Sequence, residues 1–282
     1  MLIVTCTNAS YTHISHLHPL LYRAAVAYFR LRRAAAWLAD DLRGQTSAST
    51  QSTNPLPVRV KRHQSRLIRR LGDSEMWLQY NKVQNLALAI EPLAGLLIRP
   101  GETFSFWRRV GKPSAARGYI EGMEISRGEA RAGIGGGICQ IANVLHWLVL
   151  HSPLVVVERS THSYDPFPDN QRSIPYGTGC SVFYNYIDLR FSNPTDATFQ
   201  LCLKLTDRFL EGDLRADREL AETYSVCERN HAFIECEGRY FRRNELYRRV
   251  FDRSTGVFLR EEPIKSNFVR VKYVPAENIL ES

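Results

Sequence analysis

The sequence predicts an α+β fold with helices early, strands late, and a glycine-rich loop leading into a central helix packed on a mostly antiparallel sheet. Three observations carry this. Apolar residues recur at helical spacing in residues 19–41, 81–93 and 139–151. From Leu154 onward the chain breaks into short runs of β-branched and aromatic residues separated by turn signals, which reads as strands and C-terminal β-hairpins. Between the two regimes lies Gly133-Ile-Gly-Gly-Gly-Ile-Cys139-Gln140, in which the glycines at 135, 136 and 137 let the backbone approach another group closely.

Residues 1–12 carry no structural pattern. Pro19 suits a first helical turn, and a helix runs from there to about Asp41. Leu20, Leu21, Ala24, Tyr28, Leu31, Ala35 and Leu38 form its apolar stripe, and Arg23, Arg30 and Arg33 its basic face. Such a stripe docks on the protein's own core or lies on a membrane surface. His13, His16 and His18 alternate, which is not metal-site spacing on a helix. Gly44–Pro57 is a polar Ser/Thr-rich linker, followed by the basic run Val58–Arg70. A second helix spans Asn81 to about Leu93, with Val83, Leu86, Ala87 and Ile90 in register. Leu96–Ile98 and Thr103–Trp107 read as short strands around the Pro100-Gly101 turn, with their aromatics in the core. After the glycine loop and its helix, Leu154–Arg159 reads as a buried strand, and Val182–Phe191 and Thr198–Leu205 as two more. Short strands follow at 232–236, 239–241, 247–251, 258–261 and 268–273. The domain reading is a basic helix with a polar linker (1–57), a core domain (58–210) and a β-rich extension (211–282).

The totals narrow the function. The chain has 282 residues, 44% of them hydrophobic, and a net charge of +8, which suits a globular protein with a real core. The charge is uneven. Residues 1–70 hold eleven Lys and Arg against two Asp, and the remainder is close to neutral. A basic segment of this kind fits an anionic surface such as a lipid headgroup layer. No zinc spacing or aromatic RNA-binding strand accompanies it, so nucleic acid is not an expected partner. Six scattered cysteines in so long a chain point to free thiols in a reducing compartment. No run of about 18 apolar residues occurs and no secretory signal is visible. The expected location is therefore the cytoplasm or the face of its membrane.

The chemistry centres on Cys139. At a helix start it sits among unpaired N–H groups at the positive end of the helix dipole, and both favour thiolate. A cysteine nucleophile needs a base and a group that orients the base. His162, just past the Leu154–Arg159 strand, is the expected base. His146 lies two turns from Cys139, about 10 Å along the axis, and is the weaker choice, while His151 more naturally caps the helix end. Asp188, Asp165 and Asp169 are the candidate orienting carboxylates. Gly135, Gly136, Gly137, Gln140, Asn143 and Ser163 form the candidate substrate and oxyanion set. A dinucleotide reading of the glycines fails because the stretch before them is polar and position 138 is Ile. No cofactor and no metal is expected. A second class of function stays open, in which the loop cradles a carboxylate or phosphate at the helix N-terminus without chemistry.

Taken together, Gly101-Glu-Thr-Phe-Ser-Phe-Trp107, Arg117-Gly118-Tyr119, Gly133–Gln140, Glu158-Arg159 with His162-Ser163, and Asp188-Leu189 resemble the VanW family. The resemblance covers about Lys61 to Asp207, and Asn81-Lys82 with Asn85-Leu86 is similar to the family's helix before the first motif. It implies a VanW-type domain, an association with vancomycin-type glycopeptide resistance, and peptidoglycan L,D-transpeptidation through the motif cysteine. On that resemblance Cys139 is the nucleophile taking the acyl group of a peptidoglycan stem peptide or precursor, His162 is the base, and a second stem's amine resolves the thioester. One departure stands out: the family pattern places an aspartate where this chain has Gly179.

Overall fold

The computed structural model describes residues 19–70, 75–126, 129–161, 164–168, 174–184, 186–276 and 279–281. His162, Ser163 and Asp169 of the expected site fall outside them, as do the three N-terminal histidines. In chain order the elements are α1 (Pro19–Leu42), β1 (Val58–Arg66), α2 (Met76–Ile90), β2 (Leu96–Ile98), β3 (Thr103–Ser105), α3 (Phe106–Val110), β4 (Glu121–Ser126), β5 (Glu129–Ile134), α4 (Cys139–Leu150), β6 (Val155–Glu158), β7 (Tyr164–Asp165), β8 (Arg190–Ser192), β9 (Phe199–Leu205), β10 (Phe209–Ala216), β11 (Glu222–Cys236), β12 (Arg239–Asp252), β13 (Phe258–Val271) and β14 (Ile279–Glu281). The α+β class and the C-terminal hairpins are as expected.

The central helix lies on a four-stranded antiparallel sheet of order β1-β10-β9-β2. Ile141, Val144, Leu145 and Leu148 are the buried face of α4. They sit close because Gly212 on β10 offers no side chain: a Cβ there would lie 2.6 Å from Val144 Cγ1. Phe104, Phe106, Phe191 and Phe199 fill the same core. A three-stranded sheet (β3-β8-β6) and the β4–β5 hairpin flank it. The C-terminal sheet has order β14-β11-β12-β13-β7. Its expected short strands merge into three long ones of 15, 14 and 14 residues, because the turns seen in sequence inside them are irregularities of register rather than ends.

Other local readings are corrected. Thr103–Trp107 is strand only to Ser105. There the Ser105 hydroxyl caps α3 by accepting from the Arg108 N–H, and the chain turns helical with Phe106, Trp107 and Val110 buried. The second helix begins five residues early, at Met76. Residues 155–158 form an edge strand with Val155 and Val157 exposed, not a buried one. Strand Val182–Phe191 shrinks to Arg190–Ser192, since Phe183 and Ile187 close a turn instead. The polar linker is pinned to the body: Ala48 N–H donates to the Thr103 carbonyl, and Leu97 N–H to the Thr50 carbonyl. Cys139, Cys180, Cys202 and Cys227 are free thiols, but Cys236 is disulfide-bonded, to a partner outside the described residues.

Of the two readings of α1, docking of the apolar stripe on the core is not what is seen: the opposite face docks. Arg33 forms a two-pronged ion pair with Glu158 and donates to the Tyr186 carbonyl. Asp40 accepts from Arg190 at 2.5 Å and Asp41 from Arg108 at 2.6 Å. Phe29 stacks on Tyr186, and Trp37 packs against the core. The apolar stripe points away. Among the described residues no helix is long and apolar enough to cross a membrane.

Candidate functional site

The glycine loop is a clamp in which each glycine makes room for a neighbour. Gly136 meets the backbone of Gly122 in β4; a Cβ on it would stand 2.1 Å from the Gly122 carbonyl. Gly137 has φ +94°, and a Cβ on it would strike Lys82 Cγ at 2.1 Å. Asn85 on α2 is fully buried and locks the arrangement. Its amide donates to the Gly136 and Ile120 carbonyls at 2.9 and 3.0 Å, and its oxygen accepts from the Ile120 N–H. Two loop amides are thereby committed: Gly135 N–H donates to the Ile120 carbonyl and Gly136 N–H to that of Gly133. The glycines thus serve close packing first.

Beneath the loop lies a buried amine. Lys82 Nζ donates to Gln79 Oε1 at 2.7 Å. Burial, with Arg69 as a lesser contributor, pulls its pKa down to about 8.

Cys139 is the first residue of α4, and Ile138 before it provides no side-chain cap; the N–H groups of Gln140 and Ile141 instead donate to the carbonyls of Gly137 and Ile138. The sequence position alone argues for a thiolate; the surroundings overturn this. Cys139 Sγ donates to the Val182 carbonyl at 3.5 Å. Burial pushes its pKa above the ordinary range, and the Glu124 carboxylate adds to that. The group rests as a thiol. A second thiol, Cys180, is buried nearby; burial foremost, then Cys139, pushes it up to about 12. Asn143, one turn along α4, accepts from the Cys180 N–H at 2.6 Å. Gln140 donates to Ser65 Oγ and to the Arg66 carbonyl, and its own carbonyl oxygen is buried without a partner.

The wall facing Cys139 is held by Arg159, which donates to the carbonyls of Gly177 and Gly179. A side chain at Gly179 would have room, its Cβ meeting only Asn143 Oδ1 at 3.4 Å. His146 is buried and donates from Nδ1 to the Thr178 carbonyl at 2.7 Å; burial drops its pKa to about 3, so it is neutral. His151 caps α4 as expected, bonded to the Trp147 carbonyl.

Asp188 is fully buried, and both its oxygens serve the β3–α3 turn. They accept from Ser105 Oγ at 2.6 Å, from Trp107 N–H at 3.1 Å and from Leu189 N–H at 2.9 Å. Burial nevertheless raises it to about 6. Asp165 is tied into the C-terminal sheet by Arg242 and Tyr273, each at 3.1 Å. Cys139, Gln140, Asn143 and the three glycines thus share one neighbourhood, while Asp188 and Asp165 are each engaged elsewhere. Lys82, Asn85 and Arg159 belong to the site but escaped the reading for chemistry, and Cys180 belongs to it as a buried thiol. The 82–85 spacing on one helix face was the available signal for the first two.

The fold and site define an α+β protein built around a cysteine presented by a clamped glycine loop at a helix start. The model of the VanW like protein family matches residues 81–215, which span the loop, Arg159 and Asp188. Over 205 residues the chain is 32% identical to the Vancomycin B-type resistance protein VanW of Enterococcus faecalis, covering 73% of this chain and 74% of that protein. Over 116 residues it is 33% identical to the uncharacterized protein YoaR of Bacillus subtilis, covering 40% of this chain and 36% of that one. No solved structure matches. The chain belongs to the VanW family.

Proposed function

We propose that this protein is a cysteine-dependent acyltransferase acting on peptidoglycan-type peptides, in the manner of an L,D-transpeptidase, and that it serves glycopeptide resistance as the name of its Enterococcus faecalis relative suggests. The observation that carries the reading is Cys139 at the uncapped start of α4, behind a loop whose glycines are fixed by Asn85 and Lys82. In the proposed reaction the Cys139 proton passes to His162 and the sulfur attacks a carbonyl of the donor stem peptide. The carbon–nitrogen bond breaks, the leaving amine takes the proton back, and a thioester remains. The amine of a second stem then attacks, the carbon–sulfur bond breaks, and the thiol is restored. Developing negative charge on the carbonyl oxygen falls to the Cys139 N–H and to the side-chain amide of Asn143, since the Gln140 amide already donates to Ser65 and Arg66. Ser163 completes the substrate set, and Asp188 braces the β3–α3 turn. The protein would act at or near the cytoplasmic membrane.

The raised Cys139 pKa favours a second reading, an accessory protein that binds a stem-peptide carboxylate at the loop without turnover. Incubating the protein with a stem peptide and weighing it intact separates the two. The catalytic reading expects a thioester adduct on the wild type and none on Cys139→Ala. Binding of the same peptide to both proteins, with no adduct and no cross-linked product, would overturn it in favour of the second.

A further inference from the structure

The apolar stripe of α1 runs for about 33 Å along one side of the helix. Its larger members, Leu20, Leu21, Tyr28, Leu31 and Leu38, with Leu42 at the helix end, are between 47% and 80% exposed, and Ala24 and Ala35 between them are exposed as well. A contiguous exposed stripe of this kind marks an interaction surface. We propose that this face lies in the headgroup layer of an anionic lipid membrane, with the helix parallel to the surface and the rest of the protein above it.

Charge selects the occupant. At 100° per residue Arg23 and Arg32 flank the stripe, about 80° and 100° from Leu31 on opposite sides, and both are exposed. Arg43, just past the helix, is exposed too. The helix carries only two acidic residues, Asp40 and Asp41, and both are taken up by the body through Arg190 and Arg108. What faces outward is therefore apolar with a cationic border, the composition of a helix lying in a lipid interface. A second copy of the chain fits less well. A helix pair over this stripe would place Ala25, Arg32 and Ala39 on one flank and Ala27, Ala34 and Asp41 on the other. Those positions usually hold opposite charges, and the one acidic residue is bound to Arg108. The docking on Glu158, Arg190 and Arg108 fixes the helix with this face outward before any lipid is met.

The test is co-sedimentation of the 282-residue protein with vesicles of phosphatidylcholine, with and without phosphatidylglycerol. Binding to the phosphatidylglycerol vesicles is expected, weakening with salt. Leu31→Glu with Leu38→Glu should abolish it; both positions are exposed, so helix content and urea midpoint should hold. Arg23→Gln with Arg32→Gln should weaken it about thirtyfold while leaving the apolar stripe intact. Absence of wild-type binding, or equal binding by the double Glu variant, would overturn the proposal. So would sedimentation velocity showing a dimer that the double Glu variant dissolves while neither protein binds vesicles.

Discussion

Replacing Lys82 by methionine removes a charge from beneath the loop that carries Cys139 while keeping the stem against which Gly137 rests. The side chain is only 6% exposed, and its partner is the neutral amide of Gln79. Its folded pKa of about 8 lies below the ordinary 10.5, a gap of about 3 kcal/mol. The sign follows from proton counting. Between those two values the unfolded chain holds a proton that the folded chain has given up, so stability rises with pH across the window. Below about 8 both states hold the proton and the folded protein carries the full deficit. The lost bond to Gln79 costs the variant about 1 kcal/mol at every pH, so it shifts one curve without tilting it. Urea unfolding of both proteins, at steps from about pH 7 to about pH 10, should show wild-type stability gaining about 2–3 kcal/mol on the variant. Parallel curves would refute the reasoning, because they would mean that the amine is not desolvated in the folded state.

Two further perturbations test other parts of the site. Gly136→Ala drives a methyl group to within 2.1 Å of the Gly122 backbone, which has no side chain to swing away, and should cost about 3 kcal/mol or prevent folding. Gly179→Ala meets only Asn143 Oδ1 at 3.4 Å and should cost under about 1 kcal/mol; thermal melting compares the pair, and equal losses would undo the packing account. His146 has a folded pKa of about 3 against an ordinary 6.5, so between these the unfolded chain takes up a proton that the folded one refuses. Stability should fall as pH drops through that window, by up to about 5 kcal/mol. His146→Gln, which can still donate to Thr178, should flatten the acid limb of the unfolding midpoint, and an unchanged limb would count against it.

What could be read from the sequence divides along physical lines. Helix α4 was legible because Ile141, Val144, Leu145 and Leu148 repeat at 3.6 residues and the core they face is local to that pattern. The β4–β5 hairpin was not, because its polar strands have no alternation of their own and rest on Asn81 and Asn85 of α2. Thr103–Trp107 was half legible: the strand ends at a serine cap whose partner, Asp188, lies 83 residues away. The stripe on α1 was found with two destinations, the core or a membrane surface, and only the first is excluded, since periodicity identifies an apolar face without saying what covers it. The same holds for Cys139. Its place at a helix start could be read, but its proton is kept by burial and by a carbonyl at Val182, neither of which is written near it.

The grip of α1 on the body has a mechanical side. Arg33 holds Glu158, and the next residue in the chain, Arg159, holds the carbonyls of Gly177 and Gly179. One peptide bond therefore joins the outermost helix to the wall beside Cys139. A pull, tilt or lift of that helix is carried in part through this joint, so whatever the helix rests on shares a lever arm with the thiol.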